Sequence, residues 1–362
     1  MIVSLVRESQ KNEKRALLLP KEVYELSKIC DFHVEESVGF GLDLSDEDYQ
    51  KAGAKIVDHS SAWSCSDLIL KLKCPSVDEI IEIQDKKSIA ALFHAEVAPE
   101  IIDILIQKKI TSYSFEYFKD ENGNYPLMRA TGELAGQQAI IYAAYHLQSH
   151  LSGSGRSLMS CSTTNGATVA VLGFGNVGQA ATKLALNLGA KVILFRWSGD
   201  SIRQIKFNGH VIECYPWNQA YLNKIVPNCD VVIGAIRIST FDTPIFLGKE
   251  IIKLMRPGSV IVDVTAGYGH GYIETSDEIT TLDNPYRIVN GVKHIKIREL
   301  PLGIHQTAAN QISSIYMPYI RDLIQSLQNG KTDPISSNGV ITTNGRITNP
   351  QVSRHYKKRY KG

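Results

Sequence analysis

One stretch of this 362-residue chain constrains everything built around it. An apolar run, Thr168–Leu172, meets Gly173-x-Gly175-x-x-Gly178, a helical pattern follows to about Leu188, and Lys191–Phe195 is apolar again. In a strand–turn–helix–strand unit each glycine has a physical task. Gly173 permits the tight turn, Gly175 lets the backbone approach a pyrophosphate, and Gly178 lets helix and strand pack closely. Asn176 and Val177 open the helix, where unpaired N–H groups and the positive end of the dipole favour phosphate. The pattern predicts a dinucleotide site over Gly173, Gly175, Asn176, Val177 and Gly178; the plain alternative is a structural glycine turn. The second strand ends in Arg196, 23 positions after Gly173, followed by Trp197 and Ser198. An acidic residue there would bond ribose hydroxyls and repel a 2′-phosphate, whereas a guanidinium binds that phosphate with charge-assisted bonds. Arg196 and Ser198 therefore predict NADP(H) over NAD(H). NAD(H) stays possible if Arg196 points to solvent or stacks on adenine.

The rest of the chain repeats the strand–helix rhythm. Ile2–Val6, Phe32–Glu35, Asp67–Leu72, Ile89–Phe93 and Ile110–Phe115 read as strands, with helical spacing in Lys21–Lys28, Asp46–Ala52 and Pro99–Lys108. After the glycine unit come Asp230–Ala235, Ser259–Val264 and Arg287–Val289. Alternation of this kind implies parallel sheets covered on both faces. Two long helical patterns, Gly132–Ser149 and Gln306–Leu327, flank the second series. They predict a dinucleotide-binding domain over 131–301 inserted into a substrate domain made of 1–130 and 302–362, hence two Rossmann-like, doubly wound α/β domains with a cleft between them. The Gly/Ser-rich run Ser152–Gly166 is expected to be a boundary or a mobile loop. A tail carrying Arg354, Lys357, Lys358, Arg359 and Lys361 reads as a solvated basic end.

Composition excludes several classes. With 39 basic and 37 acidic residues the net charge is +2, no basis for nucleic-acid binding. No apolar stretch is long enough to cross a membrane, and Arg7 and Glu8 interrupt the start before a signal-peptide core could form. Six cysteines without a CxxC pair argue against a metal knuckle or disulfide framework and for a cytoplasmic protein with reduced thiols. No metal site is expected.

In the first domain Arg15 (NEKRALLLP), Lys73 (LILKLKCP) and His94 (IAALFHAE) stand next to strand ends, where open α/β sheets place ligands. Each has a plainer reading: a surface ion pair, a solvated strand end and a hydrogen-bonded core histidine. Taken with RESQKNEKRALLLP, GFGLDLSDEDYQKAGAKIV, GELAGQQA, VLGFGNVGQAA, DVVIGAIR, MRPGSVIVDV, IETS and NGVITTNGRITNP, however, the chain resembles the alanine dehydrogenase and nicotinamide nucleotide transhydrogenase family over nearly its whole length. The resemblance implies that Arg15 and Lys73 hold a substrate carboxylate and that His94 acts as acid–base. Those roles suit an anionic oxo or amino acid and a group that exchanges protons near neutral pH. It also implies a homo-oligomer.

The departures from the family fall near the reacting centre. The family pattern D-V-A-x-D-x-G-G carries a catalytic Asp, but this chain has Gly267 at that place, within Asp263-Val264-Thr265-Ala266-Gly267-Tyr268-Gly269-His270-Gly271. His270 or Tyr268 is the candidate to supply the lost proton transfer. The serine of SEVAG becomes Gly132, and NMPG becomes Glu299-Leu300-Pro301-Leu302. The FGLDLSDEDY stretch and Arg196 are similar instead to N5-(carboxyethyl)ornithine synthase, an NADPH-dependent relative. The expected activity is NADP(H)-dependent amination of a 2-oxo acid, or deamination of the matching amino acid, other than simple alanine. The alternatives are reductive condensation of a 2-oxo acid with an amino acid's amine, and cofactor binding without catalysis.

Overall fold

Strand-forming runs of Val, Ile and Leu build two sheets in the computed structural model, which describes all residues except 97, 197–200, 237–243, 266–270, 332 and 360–362, and the side chains of 358 and 359. The chain divides into two compact units, Met1–Thr131 with Ile304–Gly362, and Gly132–Gly303. The first unit contains β1 (Ile2–Leu5), β2 (Asp31–Glu35), β3 (Lys55–Val57), β4 (Leu68–Lys73), β5 (Ser88–Leu92) and β6 (Thr111–Ser114). The second contains β7 (Thr168–Leu172), β8 (Lys191–Arg196), β9 (Arg203–Phe207), β10 (His210–Pro216), β11 (Val231–Gly234), β12 (Val260–Asp263), β13 (Arg287–Val289) and β14 (Val292–Ile295). The chain then returns to the first sheet as β15 (Val340–Thr343) and β16 (Arg346–Ile347).

Each sheet has eight strands, ordered β16-β15-β6-β5-β4-β1-β2-β3 and β13-β14-β12-β11-β7-β8-β10-β9. The fold class expected from the alternation is the one observed, with edges that differ. The central pairings are parallel, whereas β9–β10, β13–β14, β15–β16 and β6–β15 are antiparallel. The central strands are buried on both faces, the condition that gives near-continuous apolar runs. Strand order reverses between β1 and β4 in the first sheet and between β7 and β11 in the second. Open α/β sheets bind ligands outside such switch points, at the carboxyl ends of the strands.

Two expectations are corrected. The long helix starts at Pro126, earlier than the Gly132 expected, and runs to His146 because proline is well placed in a first helical turn. The Ser152–Gly166 run is a fixed part of the second unit. Leu158 is buried within that unit's core, Ala167 donates to Ser157 O at 3.0 Å, and Ser154 donates to Gly258 O at 3.0 Å. Its glycines serve close approach. A Cβ on Gly153 would overlap the backbone at Leu147, and one on Gly166 would lie 2.5 Å from Gly189 O. At the C-terminus Pro350–Arg359 is a helix docked by buried Val352 and by a hydrogen bond from the Tyr356 hydroxyl to Asp103, with Arg354 and Lys357 exposed.

Candidate active site

In the first unit Lys73 ends β4 and His94 follows the end of β5, neighbours beside the switch point. Arg15, expected next to a strand end, lies instead in the loop ten residues past β1, because the apolar run after it leads into a helix at Pro20. Arg15 is buried, and its ion pair is an internal one. Glu13 accepts from the Arg15 backbone N–H at 3.0 Å, from Nε at 2.7 Å and from Nη2 at 2.5 Å. This fork fixes the guanidinium plane, the geometry in which arginine recognises carboxylates.

Two lysines of β4 are sorted by their partners. Lys71 lies 3.6 Å from Glu8 and 3.3 Å from Glu79, and donates to Arg7 O at 2.7 Å, so its charge is absorbed into a buried cluster. Lys73 is positioned through its backbone. Glu8 accepts from the N–H groups of Leu72 at 2.7 Å and Lys73 at 3.1 Å. Burial pushes the Glu8 carboxyl up, with Lys71 opposing. Pairing passes from Leu70↔Ala90 to Lys73↔Leu92, so three steps on β4 face two on β5. An irregularity of this kind re-aims a side chain at a strand end.

His94 has left-handed backbone, φ 47°, a conformation held only where surroundings enforce it. Glu116 enforces it. Its carboxylate accepts from the His94 N–H at 2.6 Å and the Phe93 N–H at 3.3 Å, and lies 3.5 Å from His94 Nδ1. The Ser114 hydroxyl donates to Glu116 as well. With its side chain 37% exposed, His94 is no core histidine.

In the second unit the glycine turn has the shape its spacing predicts. Gly173 has φ 101°, and a Cβ there would lie 2.6 Å from Ala235 O across the switch point. A Cβ on Gly178 would overlap Gly173 O, so helix and turn are in direct contact. Gly175, by contrast, faces open space, with nothing within 4 Å of a Cβ. It caps the twelve-residue helix Asn176–Asn187. An open backbone at a helix N-terminus is a cradle that fits a pyrophosphate. Arg196 ends β8 with its guanidinium 5.9 Å from the centre of the Phe174 ring, so it lies over the turn. At Gly132, where the family pattern has serine, a Cβ would sit 3.0 Å from Asn176 Cβ.

Beyond the switch point, Asp263 is buried 3.3 Å from Lys296 Nζ and accepts from the Thr265 N–H at 3.0 Å. Burial pushes its carboxyl up, with Lys296 opposing. The Thr265 hydroxyl reaches Tyr272 Oη at 3.1 Å, which accepts from the Ile236 N–H at 3.3 Å. Asp263 thereby stabilises the segment after β11 that abuts Gly173.

Ser198, Gly267, Tyr268 and His270 lie outside the described residues. From the sequence, no site role was expected for Glu8, Glu13, Glu116 or Lys296. Among the described residues no His, Cys, Asp and Glu group could hold a metal ion, and no helix is long and apolar enough to cross a membrane.

Comparison with known proteins assigns nearly the whole chain to one family. The family described as "Alanine dehydrogenase/PNT, N-terminal domain" matches residues 4–135, and "Alanine dehydrogenase/PNT, C-terminal domain" matches 139–350. The chain is 31% identical to alanine dehydrogenase of Staphylococcus epidermidis, covering 99% of this chain and 98% of that protein. It is 30% identical to alanine dehydrogenase of Bacillus subtilis, covering 98% and 94%. Among solved structures, an L-alanine dehydrogenase superposes with a TM-score of 0.87 at 27% identity over 99% of each chain. A transhydrogenase from Sinorhizobium meliloti, 23% identical, shares the fold with a TM-score of 0.77 over 97% of this chain and 99% of its own.

Proposed function

Because the chain belongs to the alanine dehydrogenase/PNT family of oxidoreductases, we propose that it interconverts a 2-oxo acid and the corresponding amino acid with NADP(H), on a substrate other than simple alanine. The observation that carries this reading is that Lys73 and His94 stand at the carboxyl ends of the adjacent strands β4 and β5, with Arg15 in the loop that follows the neighbouring β1. A carboxylate clamp and an imidazole are what a 2-oxo acid requires: two cations for its anionic end and a proton carrier for the carbonyl oxygen and amine. Arg15, held flat by Glu13, and Lys73, at the irregular end of β4, take the carboxylate. His94 gives and accepts the proton, its position held by Glu116. The turn Gly173–Gly178 holds the pyrophosphate and Arg196 the 2′-phosphate of a dinucleotide, which when bound supplies the hydride chemistry. Gly267 and Glu299 replace family residues close to the chemistry and are the reason for a substrate other than alanine.

The test is oxidation of NADPH, with NADH in parallel, against a panel of 2-oxo acids supplied with ammonium or with free amino acids. Turnover with ammonium on an acid bulkier than pyruvate supports the proposal. Turnover only with an amino acid as the amine makes the protein a condensing reductase, and cofactor binding without turnover makes it a non-catalytic binder. His94→Ala is expected to keep NADPH affinity and to lose at least about a hundredfold in turnover. Unchanged turnover would remove His94 from the mechanism.

A further inference from the structure

The second sheet has an element that its glycine unit does not require. After β8 the chain runs back along the sheet edge as β9 and forward again as β10, giving the local order β8-β10-β9. Since β9 is antiparallel to β10 and β10 parallel to β8, the first residue of β9 stands at the same edge as the last residues of β8 and β10. That edge is the carboxyl edge, where the glycine turn lies. The residues concerned are Arg203, which pairs with Cys214, and Arg196, which pairs with Pro216.

Side chains alternate along strands, so residues directly opposite share a face. Arg203 and Cys214 are opposite, and Cys214 is opposite Leu194, two residues before Arg196. Arg203, Cys214 and Arg196 therefore share one face. It is the face whose core includes Leu194, Ile212 and Cys214 together with Ala181 and Ala185 of the helix that follows the glycine turn. The two arginines thus flank a buried cysteine on one face, their backbones two strand spacings apart, about 10 Å across the sheet, and offset by two residues along it. Arginine side chains are long enough to converge over that span. Arg203 is exposed, and Arg196 already leans over Phe174 of the turn. Lys206, three residues on, falls on the opposite face of the same strand.

We propose that Arg203 is a second ligand for the 2′-phosphate of the dinucleotide, so that the β9–β10 hairpin is a specificity element closing on the adenosine end of the cofactor opposite Arg196. This rests on the NADP(H) reading of Arg196. Two guanidinium groups on one phosphate divide its charge between them and recognise the dianion, which a ribose hydroxyl lacks.

Titration calorimetry of the full chain with NADPH and with NADH tests it, using Arg203→Ala, Arg203→Gln, Lys206→Ala and Arg196→Asp. Removing a charge-assisted partner is expected to weaken NADPH binding about tenfold to a hundredfold in either Arg203 variant. NADH affinity should move much less, and Lys206→Ala should leave the NADPH/NADH ratio as in the parent chain. Adenosine 2′,5′-bisphosphate, used as a competitor, should lose affinity in parallel with NADPH. If Arg196→Asp abolishes NADPH preference and the Arg203 variants do not, the hairpin proposal is overturned and the reading of Arg196 stands. If Lys206→Ala costs as much as Arg203→Ala, the effect is long-range charge and the proposal fails. A parent chain that binds NADH as tightly as NADPH overturns both. Arg203→Gln covers the case in which the alanine variant does not fold.

Discussion

A carboxylate that grips a histidine by its own backbone decides where the ring can point. Glu116 does this for His94, taking the N–H of His94 at 2.6 Å and lying 3.5 Å from its Nδ1. Without it the left-handed backbone at His94 loses the bond that repays its strain. Glu116→Ala is therefore expected to lower turnover about 10- to 100-fold through misplacement of the imidazole. Glu116→Gln, which keeps an acceptor for the backbone N–H, should recover part of that loss. Steady-state kinetics alongside NADPH titration check this. A fall in cofactor affinity equal to the fall in turnover would mean general damage in place of misdirected chemistry. The same residue marks the limit of what the sequence offers. The strand-end positions of Lys73 and His94 were legible because an ionisable side chain beside an apolar run reads as a strand end, while Arg15, whose apolar run leads into a helix, was singled out through the family resemblance. Glu116 is 22 residues from His94, and Glu8 is 65 from Lys73. A glutamate that acts across such separations looks, in sequence, like any glutamate on a solvated surface. Glu13, two residues from Arg15, has the same appearance, and only the fold reveals that both are buried.

At the scale of elements, the turn between β7 and its helix separates two uses of glycine. Gly178 is needed by the fold, since a Cβ there would overlap Gly173 O, while Gly175 faces open space. Gly178→Ala should cost about 1–3 kcal/mol of overpacking. At about 2–4 °C per kcal/mol for a domain of this size, a melting curve would register it clearly. Gly175→Ala should melt like the parent chain and yet bind NADPH more weakly, because its methyl group occupies the space a pyrophosphate needs. A melting temperature lowered equally in both variants would contradict this division. This element was fully readable, since three glycines at fixed spacing between apolar runs leave one arrangement. Its neighbours were not. The strands β9 and β10 are half-exposed and carry Arg203, Lys206, His210 and Glu213, so their alternation resembles a solvated loop. Likewise Ser152–Gly166 reads as mobile by composition. Its order comes from Leu158 in the core and from glycines that admit neighbouring backbone, contacts made with residues far along the chain.

For the molecule as a whole, acid should act on the two units with opposite sign. In the second unit burial pushes His146 down to about 4, helped by the Lys293 cation, whose ammonium donates to His146 O at 3.0 Å. Burial also pushes His294 down to about 4, against the hydrogen bond its ring makes to Val292 O. In an unfolded chain both would titrate near 6.5. As pH falls below about 6.5 the unfolded state takes up protons that the folded unit refuses, so stability is lost progressively until pH approaches 4. Each histidine contributes up to about 1.4 kcal/mol per pH unit in that window. The first unit holds the contrary case. Burial opposes protonation of His59, yet Glu35 at 2.9 Å and Glu82 at 3.2 Å raise it overall. Its stabilisation is present below about 6.5 and is lost as pH rises through the raised value, and it is small because the ring is half-exposed. Hydrogen exchange followed by mass spectrometry at pH 7.5 and pH 5.5, corrected for intrinsic rates, should show protection falling in peptides of Gly132–Gly303 and holding in those of Met1–Thr131. Replacing both histidines, His146→Leu with His294→Gln, should flatten the loss between pH 6.5 and 5, above the range where ordinary carboxylates begin to protonate. An undiminished slope in that double variant would move the acid lability to other groups. A loss of protection shared evenly by both units would mean that they unfold as one.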